Sequence, residues 1–417
     1  MSRFRIEGGR PLSGCIRVQG SKNSVLPILA GTLLVPGKSV IRNCPDLSDV
    51  SAALDILKLL GCEVEREGDE VCVDAKCLKR DTIDPELMAK MRSSVVFLGP
   101  ILARKGRACL SMPGGCELGP RPIDLHLSAL RALGAEIAQE NGSLNCRAER
   151  LTGRELCLPI PSVGATENAM LCACGCEGTT TIVGAAREPE IVELQEFLRC
   201  VGADVSGAGE SVVTVRGGKP LSGGTYTVGG DRIAACTYLC AASAAGGELV
   251  VTGADPAHLK AVLRCLEEAG CGITVGERRV HLDSDGCLRG ISPVRTAPYP
   301  GFPTDAQAIL MAALAGGRGC TMFVENIFES RYGHVDELRR MGAEIQTSGR
   351  VAVVTGTGGL RGAGVCGPDL RGGAALVVAA LAAEGRSTVA GLHHIRRGYE
   401  DLAGNLRRLG ADIWETD

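Results

Sequence analysis

The 417 residues include 45% hydrophobic and 22% charged side chains, with 3% aromatics and a net charge of −3. This is the composition of a globular chain too long for one core, with neither the basic field nor the stacking rings that nucleic acid requires. No apolar run approaches a membrane span and residues 1–10 lack a signal-like segment, so a cytoplasmic protein with no membrane partner is expected.

Taken in order, the chain reads as six copies of one unit. A helix-like stretch ends in Gly61, Gly134, Gly202, Gly270, Gly342 or Gly410, and a short β-branched strand follows each time. The glycines recur at intervals of 68 to 73 residues (61 to 134, 134 to 202, and so on). Each unit also carries a helix of small residues, as in 231–251, 304–324 and 369–389, with alanine, glycine and leucine on nearly every face. Such a helix is buried on all sides. Strand and helix alternate, which makes the fold α/β.

The sixth unit ends four residues after Ile413, without its closing strands. The segment GGRPLSG at 8–14 matches GGKPLSG at 217–223, so the N-terminal strands are expected to complete the last unit. Two three-unit domains follow, 22–229 and 230–417 plus 1–21, with chain crossings near Gly20 and Gly229. A ligand between them is the default expectation, with hinge closure at the crossings.

Several stretches carry polar groups at the starts of unit helices. Lys22 and Asn23 open the first, and read either as a solvated helix start or as donors to an anion. Lys90 and Arg92 open the second. In GGCELGPRPID, at 114–124, glycines surround Cys116, Arg121 and Asp124, and Pro122 starts a helix running from Ile123 to Leu133. A thiol on such a loop is either small filler or a reactive nucleophile. Ser162, Val163 and Gly164 offer backbone N–H groups and a hydroxyl to a phosphate. Asp305 and Asp369 read as N-caps or as functional carboxylates, and Arg397 precedes the last helix. Three other signals carry nothing. GTLLVPGKS at 31–39 has the wrong spacing for a phosphate loop, and GAGVCG at 362–367 reads as a turn. Cys172, Cys174 and Cys176 have no second cluster with zinc spacing. Twenty cysteines without a signal peptide fit a reducing compartment.

The segments GSKNSVLPILAG, MRSSVVFLGP, GGCELGPRPIDLHLSALRALGAE, PSVGATEN, AAREPEI, TAPYPGFPTDAQA, IFESRYGHVDEL, DLRGGAALVVAAL and RRGYEDLAGNLRRLGA resemble, in order and over the whole chain, the UDP-N-acetylglucosamine 1-carboxyvinyltransferase (MurA) family. The cysteine loop and GFPTDAQA separate it from the enolpyruvylshikimate phosphate synthases, which share the fold.

The resemblance implies two inside-out α/β barrel domains with the active site in the cleft between them. It implies transfer of enolpyruvyl from phosphoenolpyruvate to the 3′-hydroxyl of UDP-N-acetylglucosamine, the first committed step of peptidoglycan synthesis, without cofactor or metal. Cys116 matches the proton donor to the methylene carbon and Asp305 the group that handles the hydroxyl proton. Lys22, Arg92, Arg121 and Arg397 match the phosphoenolpyruvate clamp, and Asn23, Asp305 and Ile327 the sugar contacts. Arg121, Pro122, Asp124 and Leu125 match the uracil site, and Ser162, Val163 and Gly164 the diphosphate site. Arg331, Asp369 and Arg371 match the remaining charged lining. Ile160 stands where some relatives carry lysine, Val96 where some carry tryptophan and Tyr299 where some carry histidine. The cysteine implies alkylation by fosfomycin. Transfer to shikimate 3-phosphate and a non-catalytic sugar-nucleotide binder are the alternatives. Oligomeric state is not readable from the residues.

Overall fold

The computed structural model describes residues 2–111, 123–140 and 142–416. Six helices end at the expected glycines, and all six glycines take the left-handed conformation with φ between 90° and 113°. The residue after each glycine donates its N–H to a leucine carbonyl five positions back: Cys62 to Leu57, Ala135 to Leu130, Ala203 to Leu198, Cys271 to Leu266, Ala343 to Leu338 and Ala411 to Leu406. Glycine is needed because an L side chain is strained at positive φ, and the bond satisfies a carbonyl that the helix leaves open.

After each glycine the chain enters a four-stranded sheet, and six such sheets are present among the described residues. In the third unit the order is Glu155–Cys157, Thr179–Val183, Val212–Arg216, Asp204–Ser206, the first pair parallel and the others antiparallel. The sixth sheet has the same plan with a strand from the other end of the chain. Arg3–Glu7 lies antiparallel between Arg386–Ala390 and Asp412–Thr416, with Ile6 opposite Ser387 and Ile413. Only the first N-terminal strand completes the last unit, because Gly14–Arg17 passes on to pair with Gly247–Thr252 in the fourth. Thr225–Thr227 does likewise, pairing with Lys38–Arg42 of the first unit.

The matched glycine segments share one job. A Cβ on Gly8 would fall 2.2 Å from the Ala383 carbonyl oxygen, and one on Gly217 2.2 Å from that of Ala173. The next glycines donate to the same helix ends, Gly9 to Leu381 and Gly218 to Cys174. Close backbone approach selects Gly8 and Gly217, whereas backbone conformation alone selects Gly342, where an added Cβ meets nothing within 4 Å. Urea unfolding should therefore separate the two causes. Gly342→Ala is expected to cost about 1–2 kcal/mol and Gly217→Ala about 3 kcal/mol; equal costs would contradict this division.

The chain divides into two compact units, residues 2–19 with 230–416 and the described part of 20–229. Each has its own hydrophobic core. In the first, the helices Arg232–Ala245, Thr304–Ala315 and Leu370–Ala382 pack on one another. Every residue from Ala306 to Ala315 and from Arg371 to Leu381 is buried. The small-residue helices are thus the interior and the sheets the outside, which is the inside-out arrangement. In the second unit, the 3-10 segment Arg92–Phe97 leads into Leu98–Lys105 and packs against Lys22–Gly31 and Val163–Ala173. The segment at 362–367 is not a simple turn. Gly364–Cys366 is the edge strand of the sixth sheet, parallel to Arg386–Ala390, and Gly362 sits where a Cβ would strike Arg386. Among the described residues, no helix is long and apolar enough to cross a membrane.

Candidate active site

In the unit of 2–19 and 230–416, the charged groups gather at the starts of the fifth- and sixth-unit helices. Asp305 is the second residue of Thr304–Ala315, not its N-cap, because Pro303 occupies that place. Its two oxygens each accept from a different guanidinium, Oδ1 from Arg331 Nη2 at 3.0 Å and Oδ2 from Arg371 Nη2 at 3.0 Å. Both arginines are almost fully buried, at 2% and 3% exposed, while the Asp305 side chain keeps 29% exposure. Burial, the largest single influence on Arg371, lowers its pKa, but Asp305, Tyr399 and Asp231 together outweigh it and the guanidinium is held above its usual range. Arg371 Nη1 donates to Tyr399 Oη at 3.3 Å, and that hydroxyl lies 2.7 Å from Thr237 Oγ1. The network thus ties the fourth-, fifth- and sixth-unit helices together. Asp369 is the N-cap expected from the sequence, its Oδ1 accepting from the N–H groups of Arg371 and Gly372 at 2.9 and 3.1 Å. It fixes the backbone from which Arg371 projects.

Two further predicted residues lie in this unit. Ile327, 38% exposed, follows strand Arg318–Val324, and the neighbouring Phe328 ring lies 5.5 Å from the Arg331 guanidinium. Arg397 is half-buried after the short helix Leu392–Ile395. Gln19 clasps the next turn, donating to Gly398 O and accepting from Glu400 N, each at 3.0 Å.

In the unit of 20–229, Lys22 and Asn23 begin the first helix behind the N-cap Ser21. The Lys22 ammonium is 3.0 Å from Asp49, a buried carboxylate in the first turn of Ser48–Leu60 that sequence reading missed. Ser162 caps Val163–Ala173, its Oγ accepting from Ala165 N at 3.4 Å, so Val163 and Gly164 form the helix's first turn. Asp124 and Leu125 start the helix Asp124–Ala132, one residue shorter at each end than expected. Cys116, Arg121 and Pro122 lie outside the described residues, and Arg92 opens the 3-10 segment Arg92–Phe97.

His126, also missed, joins two of these places. Asn168 Oδ1 accepts from Gly99 N at 2.7 Å and its Nδ2 donates to Val95 O at 2.8 Å, which fixes the amide orientation. The same Nδ2 is 2.8 Å from His126 Nδ1, so that nitrogen accepts and the imidazole proton sits on Nε2. Burial pushes His126 down to about 4 against the pull of Asp124. A Cβ on Gly164 would lie 3.0 Å from Nε2, so glycine there makes room for the neutral ring. Of the departures, Val96 is buried core and Ile160 is 61% exposed. The Tyr299 ring lies 5.9 Å from the Arg232 guanidinium.

Residues 6–412 match the family described as EPSP synthase (3-phosphoshikimate 1-carboxyvinyltransferase). The chain is 46% identical over 413 residues to UDP-N-acetylglucosamine 1-carboxyvinyltransferase 2 of Caldanaerobacter subterraneus subsp. tengcongensis, covering 99% of each. It is 45% identical over 422 residues to UDP-N-acetylglucosamine 1-carboxyvinyltransferase of Zymomonas mobilis subsp. mobilis, again covering 99% of each. The chain belongs to the UDP-N-acetylglucosamine 1-carboxyvinyltransferase family. Among solved structures it resembles the enolpyruvyl transferase NikO from Streptomyces tendae, with a TM-score of 0.90 and 27% identity, covering 100% of this chain and 99% of that one. The EPSP synthase from Acinetobacter baumannii shares the fold, with a TM-score of 0.76 and 20% identity over 100% of both chains. The carboxylate bracketed by two guanidiniums therefore stands in an enolpyruvyl transferase fold.

Proposed function

We propose that the protein transfers enolpyruvyl from phosphoenolpyruvate to the 3′-hydroxyl of UDP-N-acetylglucosamine and releases phosphate. The carrying observation is Asp305 on two buried guanidiniums, in a chain 46% identical over its length to a relative named for this reaction. A carboxylate bonded to two guanidiniums is held ionised, an oriented acceptor for an attacking hydroxyl whose proton it would receive as that oxygen bonds to carbon. The sugar oxygen bonds to C2 of phosphoenolpyruvate while Cys116 gives a proton to C3, producing a tetrahedral intermediate. Loss of a C3 proton and cleavage of the C2–O–phosphate bond regenerate the double bond and free phosphate. The carboxylate and the phosphate of phosphoenolpyruvate call for cations, and Lys22, Arg92, Arg121 and Arg397 fill that role.

In this reading Asn23 and Ile327 contact the sugar, and Arg121, Pro122, Asp124 and Leu125 hold uracil. Ser162, Val163 and Gly164 take the diphosphate at a capped helix start, and Arg331, Asp369 and Arg371 complete the lining. The protein then acts in the cytoplasm at the entry to peptidoglycan synthesis, and fosfomycin alkylates Cys116. Phosphate release assayed with phosphoenolpyruvate and each acceptor is the test. Release with UDP-N-acetylglucosamine and none with shikimate 3-phosphate is expected, and the reverse would overturn the assignment. Cys116→Ser should lose turnover and fosfomycin labelling together; labelling that persists would place the reactive thiol elsewhere.

A further inference from the structure

Glu325 is 1% exposed, lies just beyond strand Arg318–Val324, and has no part in the roles assigned above. Its Oε1 accepts from Ile327 N at 2.8 Å, Phe328 N at 3.0 Å and Thr296 Oγ1 at 3.0 Å. Its Oε2 accepts from Thr304 Oγ1 at 3.0 Å. Thr304 is the residue before Asp305, and its carbonyl accepts from Arg331 Nη2 at 3.2 Å. One carboxylate therefore ties the turn carrying Ile327 to the helix start carrying Asp305. Thr296, fully buried, extends the knot by accepting from Asn326 N at 2.8 Å, while Asn326 Nδ2 returns to Thr296 O at 3.0 Å. Arg350 holds the same turn from outside, donating to Asn326 O at 3.2 Å.

Burying a carboxylate is costly unless its oxygens are satisfied, and here four donors satisfy them. An apolar residue would close this space without that cost, yet it would leave the N–H groups of Ile327 and Phe328 and the Thr304 hydroxyl without their acceptor. We infer that Glu325 is a positioning residue, which sets Asp305 through Thr304 and the sugar-contacting turn through the N–H groups of Ile327 and Phe328. This rests on the proposed reaction, since it takes Asp305 as the group that receives the hydroxyl proton.

The two arms can be cut separately. Thr304→Val removes only the hydroxyl arm and keeps the side-chain shape. It should lower kcat about 10-fold, as small misplacements of a reacting group do. The KM values for the UDP-sugar and phosphoenolpyruvate should stay within about threefold. Thr304→Ser should return kcat to near the wild-type value. Glu325→Gln keeps one oxygen for the turn and presents an amide to Thr304 Oγ1, which can accept instead of donate, so it should be far milder than Glu325→Leu. Glu325→Leu should also raise the KM for the UDP-sugar, because it releases the Ile327 turn. If Glu325→Leu fails to fold, Thr304→Val and Thr304→Ser still decide. Measured well below each variant's unfolding temperature, a purely structural role leaves kcat and both KM values unmoved, and that result overturns the inference. A wild-type protein that releases no phosphate with the UDP-sugar overturns the proposed reaction and this role with it, an outcome distinct from active wild type with unaffected variants.

Discussion

Asp305→Ala should lose turnover by about 10²–10⁴-fold and also destabilise the fold by about 3–5 kcal/mol, as removal of one partner of a buried ion pair does. The second effect follows from what remains. Arg331 and Arg371 are both buried, each directs Nη2 at an Asp305 oxygen, and the Nε of each has no hydrogen-bond partner among the described residues. Without the carboxylate, two buried guanidiniums lose the counter-charge they share. Asp305→Asn keeps one acceptor but aims an amide N–H₂ at the other guanidinium, so it should also be costly. Adding Arg371→Met to Asp305→Ala removes one of the stranded charges. The double variant should therefore regain part of the lost stability, a coupling that distant sites do not show, while turnover stays low. Urea unfolding with the phosphate-release assay measures both. A double variant no more stable than Asp305→Ala would mean that the charge network does not hold these helix starts together.

The six-fold repeat was legible in the sequence because its cause is local. A left-handed residue after a helix needs glycine, and the following strand is β-branched, so the signal recurs wherever the unit does. The Asp369 cap was legible for the same reason, since its partners are two and three residues away. The setting of Asp305 was not. Its guanidiniums come from 26 and 66 residues downstream, and nothing local distinguishes it from the cap it resembles. Glu325 was hidden between a β-strand and an asparagine, with donors spread from Thr296 to Phe328. Asp49 looked like an ordinary first-turn acid, and only the fold brings it to Lys22. The passage of Gly14–Arg17 to the fourth unit's sheet was not legible, because the match of GGRPLSG with GGKPLSG shows that the following strands behave alike without naming the sheet either one joins.

Acid should destabilise the protein through His334, and the sign follows from its surroundings. The ring is fully buried, and neither nitrogen has a hydrogen-bond partner among the described residues. Burial lowers its pKa from 6.5 to about 4; the Arg331 charge adds to this, while Asp369 and the nearby Arg331 backbone pull upward. In the unfolded chain the imidazole titrates near the unperturbed value, so between the two pKa values the unfolded state binds the extra proton. Stability then rises with pH across that window. At pH 7.5 both states are neutral and His334 contributes no pH dependence, whereas by pH 5.0 the folded state has lost about 2 kcal/mol relative to the unfolded one. His126 acts in the same direction, but it shares its unit with Glu167. Burial, with Glu190 and Glu188, raises Glu167 well above the usual carboxylate range, which gives the opposite slope. The wild-type profile is therefore a sum, and His334 has to be isolated by difference. His334→Gln removes the titration while keeping a polar side chain. Urea unfolding at pH 7.5 and 5.0 should show a fall in stability about 2 kcal/mol smaller for the variant than for wild type, whatever the variant's absolute stability. Equal falls in the two proteins would mean that His334 takes up its proton in the folded state as readily as in the unfolded one, and that its burial sets no threshold in acid.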